Sequence, residues 1–295
     1  MTKGFEQLFV ARTLIKTLVH SAANIKIIMI GSIIGDVVGS FYEVCNTKSK
    51  DFELFSYQNS FTDDSVLTIA TADWLLNGGS PATYYADWGN AYPSAGYGGL
   101  FLDWLWAMDR KGYAPPYNSC GNGSAMRIGP VGWAFGTLEE TLSAAKTSAE
   151  CTHNHPEGIK GAQAVAMVIF LARKGTSKDV IKEKIESHFN YDLSFTIDGI
   201  RDSYGWSSPF GNGVWCQASV PQAIVAFLEG TDFEDCIRNA ISIGGDSDTI
   251  GCITGSMAEA YYGVPSNIRQ AVLTYLPDDF KSIIDKFEKK YQNID

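Results

Sequence analysis

Residues 31–43 read GSIIGDVVGSFYE and give the strongest indication of the fold. From Ile30 onward the apolar residues recur at the i, i+3, i+4 and i+7 spacing of a helix with one buried face. Gly31, Gly35 and Gly39 recur at every fourth position and form a smooth stripe that a second helix can approach closely. The segment therefore predicts a buried helix packed tightly against another helix.

Helical periodicity continues along most of the chain. Helices are predicted at 64–77, 99–110, 138–151, 157–173, 177–188, 219–229, 233–242, 249–262, 266–274 and 277–290. The alternation typical of strands is weak and is limited to short stretches such as 192–197. Glycine-rich segments at 94–99, 119–124 and 205–213 are predicted to be loops. Since no repeat or low-complexity linker divides the sequence, we predict one compact all-α domain.

The net charge of the chain disfavours some classes of binding partner. A formal net charge of −10 over 295 residues disfavours nucleic acid and anionic membranes, both of which bind basic patches. It leaves an anionic substrate possible, because bound metal ions reverse the local field. The apolar run at 27–42 is too short to span a membrane and contains Asp36.

The cysteines and the N-terminus indicate the compartment. The six cysteines are scattered without a C-x-x-C pair, which favours reduced thiols over a disulfide framework. The first residues carry charges throughout and lack the apolar core of a secretory signal. We therefore expect a soluble, cytoplasmic protein.

Two short acidic motifs lie far apart in the sequence. Thr62-Asp63-Asp64 and Asp246-Ser247-Asp248-Thr249 each supply two carboxylates and a threonine hydroxyl ahead of a helical run. Either motif alone is typical of a helix N-cap, but capping needs one oxygen acceptor rather than three. Four clustered carboxylates would repel one another without bound cations, and oxygen ligands suit Mg²⁺. Together the motifs predict a two-metal site.

Further candidate residues surround these motifs. Glu43 and Asp36 are seven positions apart on one helix face, so Glu43 is a candidate general base, with a solvated acid as the alternative.

The segments 96–99 and 118–127 are glycine loops that either cradle phosphate or simply turn the chain. His153 and His155 are candidates for lining a pocket or for structural hydrogen bonds. No Walker A motif is present. The aromatic-rich stretch at 204–215 either stacks on a planar base or pins its loop to the core.

Taken in order, six segments of the chain resemble the ADP-ribosylglycohydrolase family. They are GSIIGDVVGSFYE, FTDDSVL, GYGG, GNGSAMRIGPVGW, THNHPEGIKGA and GGDSDTIGCITGSMAEAYYG. The resemblance implies an orthogonal multi-helix bundle with a central cleft holding two Mg²⁺, or Mn²⁺. It also implies a single family domain at 27–295, preceded by an N-terminal extension at 1–26 of unknown role.

The resemblance also implies roles for residues. The implied metal ligands are Thr62, Asp63, Asp64, Asp246, Asp248 and Thr249. The residues implied to take part in catalysis are Glu43, Asp64 and Asp248. The positions implied to surround ADP-ribose are Gly96, Gly98, Ser119, Gly121, Gly123 and His153. Tyr204, Trp206 and Trp215 are candidates for stacking on adenine.

The implied activity is hydrolysis of the glycosidic bond between ADP-ribose and an acceptor, on a protein or a small conjugate. Two other readings stay open: a non-catalytic ADP-ribose-binding or crystallin-like member, and a metal-dependent hydrolase of another ADP-ribose ester or nucleotide. The acceptor is not fixed by the sequence, and a monomer is expected.

Overall fold

The computed structural model describes residues 28–208, 211–292 and 294. Its helices are α1 (Ile30–Val44), α2 (Asp63–Asn77), α3 (Pro81–Ala91), α4 (Gly99–Lys111), α5 (Gly123–Met126), α6 (Val131–Ala134), α7 (Leu138–Glu150), α8 (Pro156–Arg173), α9 (Lys178–Phe189), α10 (Ile197–Ile200), α11 (Cys216–Glu229), α12 (Phe233–Ser242), α13 (Ser247–Tyr262), α14 (Ser266–Leu273) and α15 (Asp278–Tyr291). Strands β1 (Ser207–Ser208) and β2 (Gly211–Asn212) form one short antiparallel pair. The predicted all-α class is confirmed, and the extension at 1–26 lies outside the described residues.

Three local predictions differ from the structure. Helix α3 was not predicted, because its buried positions are Pro81, Tyr85, Ala86 and Gly89, none of them a large aliphatic residue. Its signal is Pro81 at the first helical position, which suits a fixed φ. The stretch 192–197 forms no strand: the Thr196 side chain caps α10, and Ile197 is the first residue of that helix. The loop predicted at 205–213 contains the β1–β2 pair.

The glycine stripe of α1 is the contact surface for α13. A Cβ on Gly35 would lie 1.9 Å from the carbonyl oxygen of Gly251, and one on Gly31 would lie 2.3 Å from that of Gly255. A Cβ on Gly39 would lie 2.4 Å from the Cα of Asp248. The predicted close helix approach is therefore confirmed, and it brings the end of α1 against the start of α13.

Helix α13 lies at the centre of the bundle and packs against α1, α8, α11 and α12. It is buried from Ser247 to Ala260, and α8 is buried along most of its length. Helix α2 packs between α3 and α15. Among the described residues, no helix has the length and apolar composition needed to cross a bilayer.

A carboxylate from α13 caps the start of α1. The backbone N–H groups of Ile30 and Gly31 donate to the two oxygens of Glu259, at 3.2 and 3.0 Å. Met29, the residue before α1, supplies no side-chain cap. The first N–H groups of a helix need acceptors and carry a partial positive charge, so this distant carboxylate fixes one end of the α1–α13 contact, where α1 begins.

Candidate metal centre and cleft

Asp36 joins α1 to the start of α2. Its Oδ2 accepts hydrogen bonds from the backbone N–H groups of Thr62 and Ser65, at 2.9 and 3.0 Å, and from the Ser65 hydroxyl. Its Oδ1 accepts from the Thr62 hydroxyl at 2.7 Å. A fully buried carboxylate thus holds the Thr62-Asp63-Asp64 motif against α1.

Three buried carboxylates meet beside this junction. Asp36, Asp64 and Asp248 each offer an oxygen, and these oxygens lie within 4.8 Å of one another. Asp64 Oδ2 accepts from the Thr249 hydroxyl at 3.1 Å, whereas Asp64 Oδ1 is buried without a hydrogen-bond partner. We call this group the first carboxylate triad.

A second carboxylate triad shares one member with the first. Glu43, Asp246 and Asp248 offer oxygens within 4.8 Å of one another. The Asn122 side chain donates to Asp246 Oδ2 at 2.7 Å and ties this triad to the glycine loop that precedes α5. Asp248 therefore lies between both triads, and Glu43 is the only member that is not buried.

Burial and mutual repulsion raise the pKa values of these groups. Burial raises the pKa of Asp36, and it raises the pKa of Asp64 and Asp248 well above the usual value, with neighbouring carboxylates adding to the effect. Burial raises the pKa of Asp63 to about 8, and the charges of Asp36 and Asp246 add to it. Assembled without a counter-ion, the cluster is therefore electrostatically unfavourable.

The residues present fit a pair of hard divalent cations. All the atoms that could coordinate a metal in the triads are oxygens, and Asp64 Oδ1 lacks a hydrogen-bond partner. Five carboxylates line the cavity above the triads, whereas Arg127 supplies the one guanidinium in this lining. Mg²⁺ and Mn²⁺ prefer carboxylate and hydroxyl oxygens, and a cation would neutralise the repulsion. The two triads are the groups that could hold them.

One cavity of about 380 Å³ lies over the triads. The residues implied to be metal ligands, catalytic groups or ADP-ribose contacts all line it: Glu43, Thr62, Asp63, Asp64, Gly96, Gly98, Ser119, Gly121, Gly123, His153, Asp246, Asp248 and Thr249. The structure thus brings together residues from six separate segments of the chain, and their individual roles remain proposals.

Glycine loops form the walls of the cavity. Gly96 has φ of 103°, which favours glycine, and its backbone lies over the Asp63 carboxylate, with an added Cβ 3.6 Å from Oδ1. The Asp63 N–H donates to the Ala95 carbonyl at 2.8 Å. On the other wall, a Cβ at Gly123 would lie 3.0 Å from His153 Nε2. Glycine at that position leaves room for the edge of the imidazole ring.

A buried arginine orients His153. Arg127 Nη2 donates to the Ser148 carbonyl at 3.0 Å and to Thr152 Oγ1 at 2.8 Å, and its guanidinium carbon lies 4.0 Å from the Tyr85 ring centroid. Thr152 Oγ1 lies 2.8 Å from His153 Nδ1. Because arginine only donates, the threonine hydroxyl proton is left to donate to Nδ1.

The imidazole of His153 is consequently neutral with its proton on Nε2. Burial lowers the pKa of His153 well below its usual value, and the charge of Arg127 lowers it further. Nε2 is the nitrogen nearest Gly121 and Gly123. His155 has a different position: its Nδ1 accepts from the Glu157 N–H at 3.1 Å and caps α8, so only His153 lines the cavity.

Comparison with known proteins shows the family to which this chain belongs. The model of the family described as "ADP-ribosylglycohydrolase" matches residues 20–294. The chain belongs to this family. It is 27% identical to the ADP-ribosylhydrolase ARH3 of Homo sapiens, covering 84% of this chain and 89% of that protein. It is 28% identical to the ADP-ribosylhydrolase ARH3 of Gallus gallus, over 69% and 70% of the two chains.

A more distant relative and a solved structure extend the comparison. The putative ADP-ribosyl glycohydrolase L543 of Acanthamoeba polyphaga mimivirus is 22% identical over 79% of this chain and 85% of its own. The solved structure titled "ADP-ribosylglycohydrolase-related protein complex" has a TM-score of 0.67 at 23% identity. It covers 89% of this chain and 96% of that one. At this identity the structure supports the fold alone.

Several cleft residues of this ADP-ribosylglycohydrolase family member escaped the sequence reasoning. Asp36 was noted only for sharing a helix face with Glu43, although an acid inside an apolar helical run was a usable signal. Asn122 and Arg127 had no signal of their own beyond their place in the glycine loop segment. Among the aromatic candidates, Trp206 lines the cavity, whereas Tyr204 is buried and its hydroxyl donates to the Ala218 carbonyl at 2.7 Å.

Proposed function

We propose that this chain is a metal-dependent hydrolase that cleaves the glycosidic bond between ADP-ribose and an acceptor, which is a protein side chain or a small conjugate. The observation that carries the proposal is the pair of carboxylate triads sharing Asp248 at the floor of a cavity walled by glycine loops. Membership of the ADP-ribosylglycohydrolase family supports ADP-ribose as the part of the substrate held in the cleft.

Two Mg²⁺ ions, or Mn²⁺ in their place, are the proposed cofactors. Asp36, Asp64 and Asp248 would hold one ion, and Glu43, Asp246 and Asp248 the other. Thr62, Asp63 and Thr249 are proposed as additional oxygen ligands because they line the cavity beside these groups. When bound, such ions supply positive charge that polarises sugar hydroxyls and water.

Glu43 is the proposed proton-transferring residue. It is the least buried carboxylate of the triads and ends α1 at the edge of the cavity, so it can approach the scissile bond. A carboxylate in that position takes a proton from the attacking water or gives one to the leaving group. The buried aspartates Asp64 and Asp248 contribute negative charge that stabilises an oxocarbenium-like sugar.

The glycine loops and His153 are proposed to hold the diphosphate. Exposed backbone N–H groups around Gly96, Gly98 and Gly123 suit phosphate oxygens. The Ser119 hydroxyl accepts from the Gly121 N–H at 3.0 Å and orders that loop. With its proton on Nε2, His153 adds a neutral donor that needs no change of charge when an anion binds.

A panel of defined substrates tests the proposal. Peptides carrying ADP-ribose on arginine or serine, and an ADP-ribosylated acetyl ester, are incubated with Mg²⁺ or with EDTA, and free ADP-ribose is quantified. We expect Mg²⁺-dependent release from at least one substrate, and Glu43→Gln to reduce it by about 100-fold or more. The matched control is Glu53→Gln, which alters an exposed acid outside the cavity.

Two outcomes would contradict the proposal. Release that is equal in Mg²⁺ and EDTA would remove the metal centre from the reaction. ADP-ribose binding without release from any linkage would instead support the non-catalytic reading.

A further inference from the structure

A second cavity of about 430 Å³ is lined in part by α8 and α11. It is bounded by the first turns of these two helices and by the segment that follows α9. Its lining residues are Glu157, Lys160, Asn190, Tyr191, Asp192, Phe195, Gln217, Pro221 and Gln222. None of them lines the cavity over the carboxylate triads.

Three buried oxygens in this cavity have no hydrogen-bond partner. They are Tyr191 Oη, Gln217 Oε1 and Gln222 Oε1. The residues Tyr191 and Gln222 are only 6% and 1% exposed. A buried polar group without a partner costs about 1–3 kcal/mol, so three lining one cavity call for a ligand or ordered water to pair them.

The backbone of α11 adds a further acceptor to the same wall. Pro221 lies inside this helix and has no N–H to donate. The carbonyl of Gln217, four residues earlier, therefore lacks its usual helical donor. Since Gln217 and Pro221 both line the cavity, this carbonyl adds an acceptor to a wall that already holds the unpartnered Oε1 atoms of Gln217 and Gln222.

The charges around the cavity favour a cation over an anion. Glu157 and Asp192 contribute two carboxylates, and Lys160 is the one basic residue in the lining. Lys160 is already engaged, with its Nζ 3.4 Å from Glu157 Oε2 and 4.2 Å from the Tyr191 ring centroid. The other carboxylate, that of Asp192, is exposed, accepts from the Ser194 N–H at 2.9 Å and is attracted by Lys182 outside the lining, so the lining itself carries one more acid than base. The rings of Tyr191 and Phe195 provide apolar surface for a short carbon chain.

We propose that this cavity is a second binding site, for a small organic cation that donates N–H groups from a short aliphatic chain. An alkylammonium and a guanidinium share this chemistry, and both match unpartnered oxygens in a lining that also holds the exposed carboxylate of Asp192. The size agrees with that of known small-molecule pockets, which span about 300–1,000 Å³. The site does not depend on the proposed hydrolase activity.

The wall between the two cavities is thin. A Cβ on Gly161 would lie 2.5 Å from Cys216 Sγ, so α8 and α11 touch without a side chain between them. Cys216 Sγ in turn donates to the Gly121 carbonyl at 3.1 Å, and the Ser124 hydroxyl donates to the Gly158 carbonyl at 2.7 Å. A ligand in the second site would therefore contact helices that directly support the glycine loop of the first.

Calorimetric titration with two probes tests the site. Spermidine and agmatine, which carry ammonium and guanidinium groups, are titrated into the full chain in excess Mg²⁺, and their relative affinities distinguish the two chemistries. We expect saturable one-to-one binding with Kd below about 1 mM for at least one probe. Gln222→Leu should weaken it by at least about tenfold, equal to about 1.4 kcal/mol, and Lys160→Met should tighten it.

Three controls make the result decisive. Gln270→Leu, on the exposed face of α14, should leave the affinity unchanged. Asp248→Asn should also leave the affinity of the second site unchanged. If the probe instead bound at the carboxylate triads, this variant would lose the binding. Tyr191→Phe removes a single oxygen and serves as the second variant if Gln222→Leu unfolds. Melting curves establish that each variant is folded.

Several outcomes would overturn the second site. No saturable heat up to about 10 mM would mean that ordered water alone fills the cavity. Equal affinity in the wild type, Gln222→Leu and Tyr191→Phe would place the probe elsewhere. Weaker binding in a folded Lys160→Met would show that the charge of Lys160 does not oppose the probe, which would contradict the proposed cation site.

Discussion

The hydroxyl of Thr249 lies 3.1 Å from Asp64 Oδ2, although 185 residues separate the two positions. This contact joins the start of α13 to the start of α2. Asp248, next in the chain to Thr249, belongs to both carboxylate triads. The candidate metal centre is therefore a product of tertiary packing between helix starts, and each helix would tolerate its own acids in isolation.

Removing one carboxylate should stabilise the metal-free protein. Asp248→Asn deletes a charge that repels carboxylates in both triads, so we expect a higher melting temperature than the wild type in EDTA. In saturating Mg²⁺ the wild type should have the higher melting temperature, because it binds the ion. A ligand at 100 times its Kd stabilises the folded protein by about 2.7 kcal/mol. Differential scanning calorimetry in both buffers measures this. Asp103→Asn, at an exposed position of α4, is the control. A lower melting temperature for Asp248→Asn in EDTA would contradict the account.

The glycine contact between α1 and α13 should be essential for the metal centre. Gly35→Ala places a Cβ 1.9 Å from the Gly251 carbonyl oxygen, so the helices must separate. We expect a loss of about 3 kcal/mol or more in unfolding free energy and a weakened affinity for Mn²⁺. Gly205→Ala, where no atom lies within 4 Å of the added Cβ, should change neither. Denaturant unfolding and Mn²⁺ titration check both values, and wild-type Mn²⁺ affinity in a folded Gly35→Ala would refute the link.

The hydroxyl of Thr152 should control the tautomer of His153. Thr152→Val removes the donor to Nδ1 while keeping a similar volume, so the proton is no longer directed to Nε2. We expect the affinity for ADP-ribose to fall by about tenfold, mainly in KM, and the ring ¹⁵N shifts of His153 to change. Thr147→Val, which removes a hydroxyl from the exposed face of α7, is the matched control. Unchanged ¹⁵N shifts in Thr152→Val would exclude this arrangement.

Glu259 should make stability fall as pH rises. Burial raises the pKa of Glu259 to about 8 from 4.5, with Glu288 adding repulsion, while the Gly31 and Ile30 N–H groups and Arg269 oppose the shift. A raised pKa means that its contribution is full below pH 4.5 and is lost on the way to about pH 8.

Glu259→Gln removes this dependence. Since a pKa difference of one corresponds to about 1.4 kcal/mol, the variant should gain about 3–5 kcal/mol relative to the wild type between pH 5 and 9. Urea unfolding at both pH values measures the difference, with Glu183→Gln on exposed α9 as the control. A parallel pH profile for the two proteins would show that Glu259 is ionised throughout.

Much of the fold follows from patterns that the chain carries locally. The apolar periodicity of α1 and its stripe at Gly31, Gly35 and Gly39 predicted both a buried helix and its close neighbour. The motifs at Thr62 and Asp246 lie at helix starts, as predicted, although only Thr62 caps its helix with its side chain. Helix α3 was missed because a buried face without large aliphatic residues leaves little hydrophobic periodicity to detect.

The cleft could be predicted less completely, for a physical reason. Residues that could bind a metal or a substrate can be recognised in the sequence from their residue type. Residues that position those groups act through tertiary contacts, which only the structure shows. Asp36 looks like an interruption of an apolar run until Thr62 and Ser65 are seen to donate to it. Arg127 acts on His153 only through Thr152, and no sequence spacing encodes that relay.

Counting bound Mn²⁺ by titration calorimetry tests the central claim most directly, because the two triads share only Asp248. We predict two ions per wild-type chain, one in Asp64→Asn, which leaves the second triad intact, and none in Asp248→Asn. Equal loss of Mn²⁺ in the two variants, or two ions retained in Asp248→Asn, would contradict a dinuclear centre built on these triads.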